Sequence, residues 1–296
     1  MFFSQLIQDL RHTLRALRRD AGFTVFAILI AGLGIGASVT VFSVVNTLLL
    51  RPLPFAEPSR LVWIANHDTP GLSGQTTQVG HMLDLRERSR TLAAVAGYFA
   101  FYGVGDQMLT GRGEPERVSG VPVSENFFDV LGVKPMLGRT FNAQESAWNG
   151  PKAVMLGHDI WLRRFQADPK VVGRALVIND EPHTIVGVLP ASFDFATVFA
   201  PGSRLDIYLP FPLSEETNRW GNTMAMIGRL KDGAHPAQAQ AEVRALAAEI
   251  TKANPRRNNF EGIVTPLADK ISGNVRVAAW VLAGAVGMAK PAHAAA

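Results

Sequence analysis

Histidines, cysteines and paired carboxylates are the side chains that most often hold metals or move protons, and in this chain none of them is spaced for that work. The seven histidines, His12, His67, His81, His158, His183, His235 and His293, are dispersed, with no His-x-x-x-His or Glu-bearing zinc spacing among them. No cysteine occurs, which excludes disulfide scaffolds, Cys-ligated zinc and thiol catalysis. Asp84, Glu87, Glu114 and Glu116 come nearest to an acid pair, but solvated helix and turn positions account for them. There is no Gly-x-Ser-x-Gly elbow to expose a nucleophile, and no GxxxxGK[ST] loop to cradle the phosphates of ATP. Gly32-Leu33-Gly34-Ile35-Gly36-Ala37 satisfies the letters of a dinucleotide fingerprint, yet no strand precedes it and no βαβ unit surrounds it. The chain is therefore expected not to be an enzyme, and to bind no cofactor or metal of its own.

The glycines acquire another meaning from the segment that holds them. Residues 21–50 contain no charged side chain. As helix, such a stretch measures about 45 Å, against a hydrocarbon core of about 30 Å. A cleaved leader would have an apolar region of only about 7–15 residues and a small-x-small end. This run is far longer and closes on Asn46-Thr47-Leu48-Leu49-Leu50-Arg51, so it reads as a retained membrane span. Gly32, Gly36 and Thr40, spaced four apart, share one helical face that a second helix can approach closely.

Arg11, Arg15, Arg18 and Arg19 precede the span. They are the topology signal: the N-terminus is expected in the cytoplasm and residues from Arg51 onward outside. The formal net charge of +4 raises nucleic acid as a partner. The only dense basic cluster is this one beside the bilayer, so no nucleic-acid partner is expected. Leu6, Leu10, Leu14 and Leu17 make residues 1–20 an amphipathic helix, either lying in the membrane surface or simply solvated.

Beyond Arg51-Pro52-Leu53-Pro54, which ends the span, helices and strands mix without strict alternation. Strands are expected at 61–65, 116–123, 153–156, 175–178, 184–189, 206–209, 224–230 and 262–266, with one or two more within 98–110. Met82, Leu83, Leu85 and Leu92, interleaved with charges, form an amphipathic helix. Ser124 caps a short helix through Phe127, Phe128 and Leu131, with Gly132 just past its end. A further helix covers 159–166. Ala239, Val243, Leu246 and Ile250 line one face of a helix over 236–253, stopped by Asn254-Pro255. Asn179-Asp180-Glu181-Pro182 is a hairpin turn, and Phe127, Phe128, Trp161 and Phe165 read as core aromatics. The fold class is α+β.

Leu48-Leu49-Leu50-Arg51-Pro52-Leu53-Pro54-Phe55 resembles the first outer junction of MacB/FtsX-type ABC-transporter permeases, in their duplicated-permease branch. His158-Asp159-Ile160-Trp161, Arg163-Arg164-Phe165, Asp168-Pro169 and Val172-Gly173 continue the likeness. So do Asn179-Asp180-Glu181-Pro182, Ile185-Val186-Gly187-Val188 and Ile227-Gly228-Arg229-Leu230-Lys231-Asp232-Gly233, in that order. The resemblance implies a two-part periplasmic domain between a first and a second span, a porter-like lobe at 51–145 with 215–272 and an inserted β-rich lobe at 146–214. It implies no catalytic residue in the permease, ATP being hydrolysed by a separate cytoplasmic subunit and motion being transmitted to the periplasmic side.

A second span is expected near Val277, but the charge-free stretch there ends after thirteen residues at Lys290. Residues 273–296 are thus expected to form a truncated stub and tail outside the bilayer core, the chain being a half-permease. The first span then either self-associates into a homodimer or depends on separately encoded permease spans. The reading that competes with a permease is a single-pass, membrane-anchored extracytoplasmic binding or sensory domain.

Overall fold

Leu61-Val62-Trp63-Ile64-Ala65 is buried at every position, and Met224–Leu230 at all but one. Strands of that kind require cover on both faces, and the rest of the domain supplies it. The computed structural model describes residues 21–45, 53, 55–67, 71–103, 106–111, 114–195, 199, 205–254 and 260–271. The chain divides into two units, residues 1–51 with 272–296, and residues 52–271. The expected helix at 1–20, the Arg11, Arg15, Arg18 and Arg19 cluster and the stub at 273–296 lie outside the described residues.

In the first unit the described element is helix α1 (Ala21–Val45). The second unit runs in the order β1 (Leu61–Ala65), α2 (Leu72–Gln75), α3 (Val79–Arg88), β2 (Leu92–Phe99), β3 (Gln107–Thr110), β4 (Glu116–Val118) and β5 (Gly120–Val123). It continues through α4 (Phe127–Leu131), β6 (Leu137–Gly138), β7 (Ala153–Leu156), α5 (His158–Phe165), β8 (Ala175–Ile178) and β9 (Glu181–Val188). Last come β10 (Ile207–Pro210), α6 (Glu215–Asn218), β11 (Met224–Leu230), α7 (Pro236–Ala253) and β12 (Ile263–Pro266). Among the described residues the strands form one mixed sheet, ordered β12-β1-β11-β2-β5-β10-β7-β9-β8-β3-β4, with β6 added alongside β9. The α+β class read from the sequence is the class observed.

Strand period sorts the core. Leu61, Trp63 and Ala65 of β1, with Ala225 and Ile227 of β11, face one side, where Phe127 and Phe128 of α4 fill the space. Val62 and Ile64, with Met224 and Met226, face the other side and pack against Val79, Met82 and Leu85 of α3 and Ala239, Val243 and Ala247 of α7. A third cluster, around Val154, Leu156, Ile160, Ile178 and Ile185, lies at the far end of the sheet, where Leu109 of β3 and Val118 of β4 join it. The β8–β9 hairpin forms as expected. Asn179 and Asp180 both take positive φ, 50° and 65°, the backbone twist a two-residue hairpin loop demands.

Two elements differ from their sequence reading. Leu92 was expected on the α3 face, but α3 stops at Arg88 and Leu92 opens β2. The cause is a distant carboxylate. Glu242, on α7, accepts from the Ser89 hydroxyl at 2.7 Å, the Arg90 N–H at 2.6 Å and the Thr91 N–H at 2.9 Å. That fixes the turn between α3 and β2. The expected strand at 116–123 is two strands that break at Ser119, where the Asp206 carboxylate accepts the Ser119 N–H at 3.2 Å. There the chain leaves the pairing with β3 and takes up pairing with β2 and β10.

Burial opposes ionisation of Glu242, but the hydrogen bonds from Thr91, Arg90 and Ser89 outweigh it and hold the carboxyl below its ordinary 4.5. A depressed folded-state value means the contribution is complete above the ordinary carboxylate range and is lost as pH falls through the lowered value. Glu242→Gln should therefore destabilise the chain by about 1–2 kcal/mol at neutral pH, and the gap to wild type should close as acid protonates Glu242. Urea midpoints of both proteins at pH 7 and below pH 4 read this. A gap that stays constant with pH would remove Glu242 from the account of the α3–β2 turn.

Candidate functional site at the base of the domain

β1 and β12 pair antiparallel, Val62 opposite Pro266 and Ala65 opposite Ile263. The start of β1 therefore lies beside the end of β12, and the chain enters and leaves the domain at the same end of the sheet. That end is built from Leu53, Phe55, the turn at 56–60, the end of β11 and the segment after β12.

Arginines fasten the incoming segment. Period 2 puts Arg229 on the face of β11 that carries Ala225 and Ile227, toward α4, and the register of β11 on β2 slips just after it. Its Nε donates to the Val130 carbonyl at 2.7 Å and its Nη2 to the Ala56 carbonyl at 2.8 Å. Val130 belongs to the last turn of α4, whose carbonyls have no partner within the helix. A strand, a helix end and the incoming chain thus meet on one planar cation, which suits guanidinium and not ammonium.

Arg60 bridges in the other direction. Its Nε and Nη2 both donate to the Leu230 carbonyl, at 2.9 and 2.8 Å, and its Nη1 reaches Glu57 at 2.8 Å and Asp232 at 2.6 Å. Asp232 is largely exposed, so that pair adds little; the bonds to buried carbonyls matter more. Burial and then the neighbouring Arg60 pull Arg229 below its ordinary value, partly offset by Glu57.

Packing completes the fastening. Phe55 is buried and lies 6.3 Å from Phe193 and 6.1 Å from Phe199, centroid to centroid. The Ala56 N–H donates to the Leu131 carbonyl at 3.2 Å. Gly132, in the left-handed region with φ 69°, leaves room for this: a Cβ there would stand 2.4 Å from that of Ala56. On the outgoing side, Lys270 lies over the Trp63 ring, 5.5 Å from its centroid, and burial lowers its pKa. This arrangement ties the incoming segment to the end of β11 and to the last turn of α4.

The residues singled out in the sequence fall elsewhere. Gly32 and Gly36 lie in α1, both exposed, and a Cβ on either would meet nothing within 4 Å. Thr40 shares the helix, though its side chain is outside the described set. Among the described residues no helix is long and apolar enough to cross a membrane, while the α1 backbone is continuous for 25 residues. The expected span over 21–50 therefore rests on its sequence.

Glu116 belongs to an ion network, not an acid pair. Arg163 and Arg164 donate to it at 2.9 and 2.8 Å, and Arg163 also reaches Asp206 at 2.9 Å. Burial opposes the ionisation of Glu116, and those arginines outweigh it and lower its pKa. Among the described residues no cluster of three or more His, Asp or Glu side chains is placed to hold a metal ion. Sequence reasoning missed Arg60 and Arg229. For Arg229 a signal was present, a lone cation inside the otherwise apolar Met224–Leu230.

The family described as MacB-like periplasmic core domain matches residues 24–246, and the chain belongs to it. In structure the chain is similar to the periplasmic region of MacB from Actinobacillus actinomycetemcomitans, with a TM-score of 0.53 at 15% identity, over 75% of this chain and 94% of that one. It is also similar to a domain of a putative permease protein from Porphyromonas gingivalis, with a TM-score of 0.50 at 16% identity, over 72% of this chain and 92% of the other. Identities this low speak for the fold alone. No curated protein matches the chain by sequence.

Proposed function

We propose that this chain is a membrane permease subunit of an ABC-type export or mechanotransmission system. Its extracytoplasmic domain relays motion or binds partners or substrate, and ATP is hydrolysed by a separate cytoplasmic subunit, the chain itself holding no cofactor. One observation carries the reading: the chain enters and leaves the domain side by side, and Arg60 and Arg229 tie the incoming segment to the sheet and α4. A displacement applied at such a base moves the domain as a body, as in hinge and shear transitions. The division into 51–145 with 215–272 and an inserted 146–214 belongs to this reading, strands β3 and β4 extending the far end of the sheet.

The membrane part draws on α1. Phe23, Phe26, Ile28, Leu29, Leu33 and Ile35 are all exposed, and no charged residue occurs in the helix. An exposed apolar surface of that kind supports a place in lipid. Arg11, Arg15, Arg18 and Arg19 then keep the N-terminus in the cytoplasm and put the domain in the periplasm. Gly32, Gly36 and Thr40 supply the close-packing face for a second helix, from further permease spans or from a second copy.

Affinity isolation of the tagged chain from its host membranes in mild detergent should recover an ABC ATPase together with further permease spans. The double substitution Gly32→Ile, Gly36→Ile should lower that recovery several-fold. Isolation of the chain with no ATPase, alone or as a homodimer, would overturn the transport reading in favour of a single-pass binding domain.

A further inference from the structure

Away from the base, segments distant in sequence line an open cleft of about 350 Å³. Its walls are flat and apolar. Phe99 and Phe211 stack at 5.8 Å with 19° between their planes, and Trp220 stands edge-on to Phe211 at 6.0 Å. Trp148 closes on Trp220 at 6.2 Å. Pro122, Pro151, Pro210 and Pro212 supply further rigid lining. Trp148 and Trp220 remain 45% and 52% exposed, so these two large rings are held at a surface where they fill no core.

Polar groups on the lining are few, and most are already engaged. Both oxygens of Glu145 accept from Arg139, at 2.7 and 3.0 Å. Lys152 pairs with Glu181 at 3.1 Å. His183 is different. It is 8% exposed, and its Nδ1 lies 3.0 Å from the Glu181 carbonyl. A carbonyl only accepts, so Nδ1 carries the proton. Burial, with Lys152 nearby, lowers the pKa of the ring and keeps it neutral at physiological pH. Nε2 is then the acceptor of the ring, on a residue that lines the cleft.

We infer that this cleft is a binding site for a flat aromatic molecule bearing a phenol-type hydroxyl, its rings held between Trp148, Trp220, Phe99 and Phe211 and its hydroxyl donating to Nε2 of His183. The volume lies at the lower end of the range for drug-sized ligands, and mainly apolar walls with few convergent polar groups fit that class. A neutral or anionic ligand suits the site better than a cation, because Arg139 already neutralises Glu145 and Lys152 stands at the rim. An acceptor that a bound ligand covers discriminates for a ligand that supplies the donor. The site stands independently of the permease reading.

The test uses the full chain in phosphatidylcholine nanodiscs, with 6-hydroxynaphthalene-2-sulfonate as probe and naphthalene-2-sulfonate as the analogue lacking the hydroxyl. Calorimetric titration should show the hydroxylated probe binding at least tenfold more tightly. Trp220→Ala, at an exposed position that the fold tolerates, should weaken both about tenfold. His183→Phe should abolish the preference while the analogue still binds. Equal affinities in wild type, no binding of either compound at millimolar concentration, or a preference that survives His183→Phe would each overturn the assignment.

Discussion

Truncating Phe128 to alanine should lower the stability of the chain by about 3–5 kcal/mol, the largest loss expected of any single change in the domain. Phe128 is fully buried, and its ring meets Phe127 at 5.6 Å, Phe193 at 5.6 Å and Tyr208 at 5.4 Å, each edge-on. Edge-to-face pairs of this kind add to the area term. The cluster joins α4 to both halves of the sheet, since Tyr208 lies on β10 and Tyr98, beside Phe127, on β2. No rearrangement of rigid rings refills the vacated volume. Because whole domains are stable by only about 5–15 kcal/mol, the variant should unfold at much lower urea or be recovered poorly. A loss below about 1.5 kcal/mol would mean that α4 is not held by this cluster.

Arg229→Met should cost about 2 kcal/mol through a different mechanism. Methionine keeps the volume and the apolar stem, so packing changes little. The Val130 carbonyl, on a buried residue, loses its donor and carries a desolvation penalty, while the exposed Ala56 carbonyl turns to water. Arg229→Lys should recover less than half of the loss, because a single ammonium cannot reproduce the fork that reaches both carbonyls. Urea unfolding of the detergent-solubilised chain, followed by tryptophan fluorescence, separates the three proteins. If Arg229→Lys behaves as wild type, simple charge suffices and the fork is not the coupling element.

The particular residues show why some of this was legible beforehand and some was not. The stripe Ala239, Val243 and Ile250 was readable because helix period alone puts those residues on one face, and all three are buried. The short helix through Phe127 and Phe128, with its stop at Gly132, and the hairpin at Asn179-Asp180 were readable for the same kind of reason, although the helix is entered at Asn126 and not capped by Ser124. Leu92 was misplaced because the turn before it is set by Glu242, 151 positions from Thr91. The base was invisible for a related reason: Arg60 reaches Leu230 across 170 positions, and Arg229 reaches Ala56 across 173. The aromatic cleft is assembled from Phe99, Trp148, His183, Phe211 and Trp220, and no local pattern links them. What sequence order did carry was the family likeness, which the match over residues 24–246 bears out.

In the proposed topology α1 anchors the chain with its N-terminus inside and its domain outside the cytoplasmic membrane. The chain contains no cysteine, so single introduced thiols report without background. Asp159→Cys, on an exposed position of α5, and Ser4→Cys, ahead of the arginine cluster, can be labelled separately in spheroplasts with a membrane-impermeant maleimide. Asp159→Cys should label in intact spheroplasts and Ser4→Cys only after lysis. Labelling of Ser4→Cys before lysis, with Asp159→Cys protected until lysis, would contradict that topology.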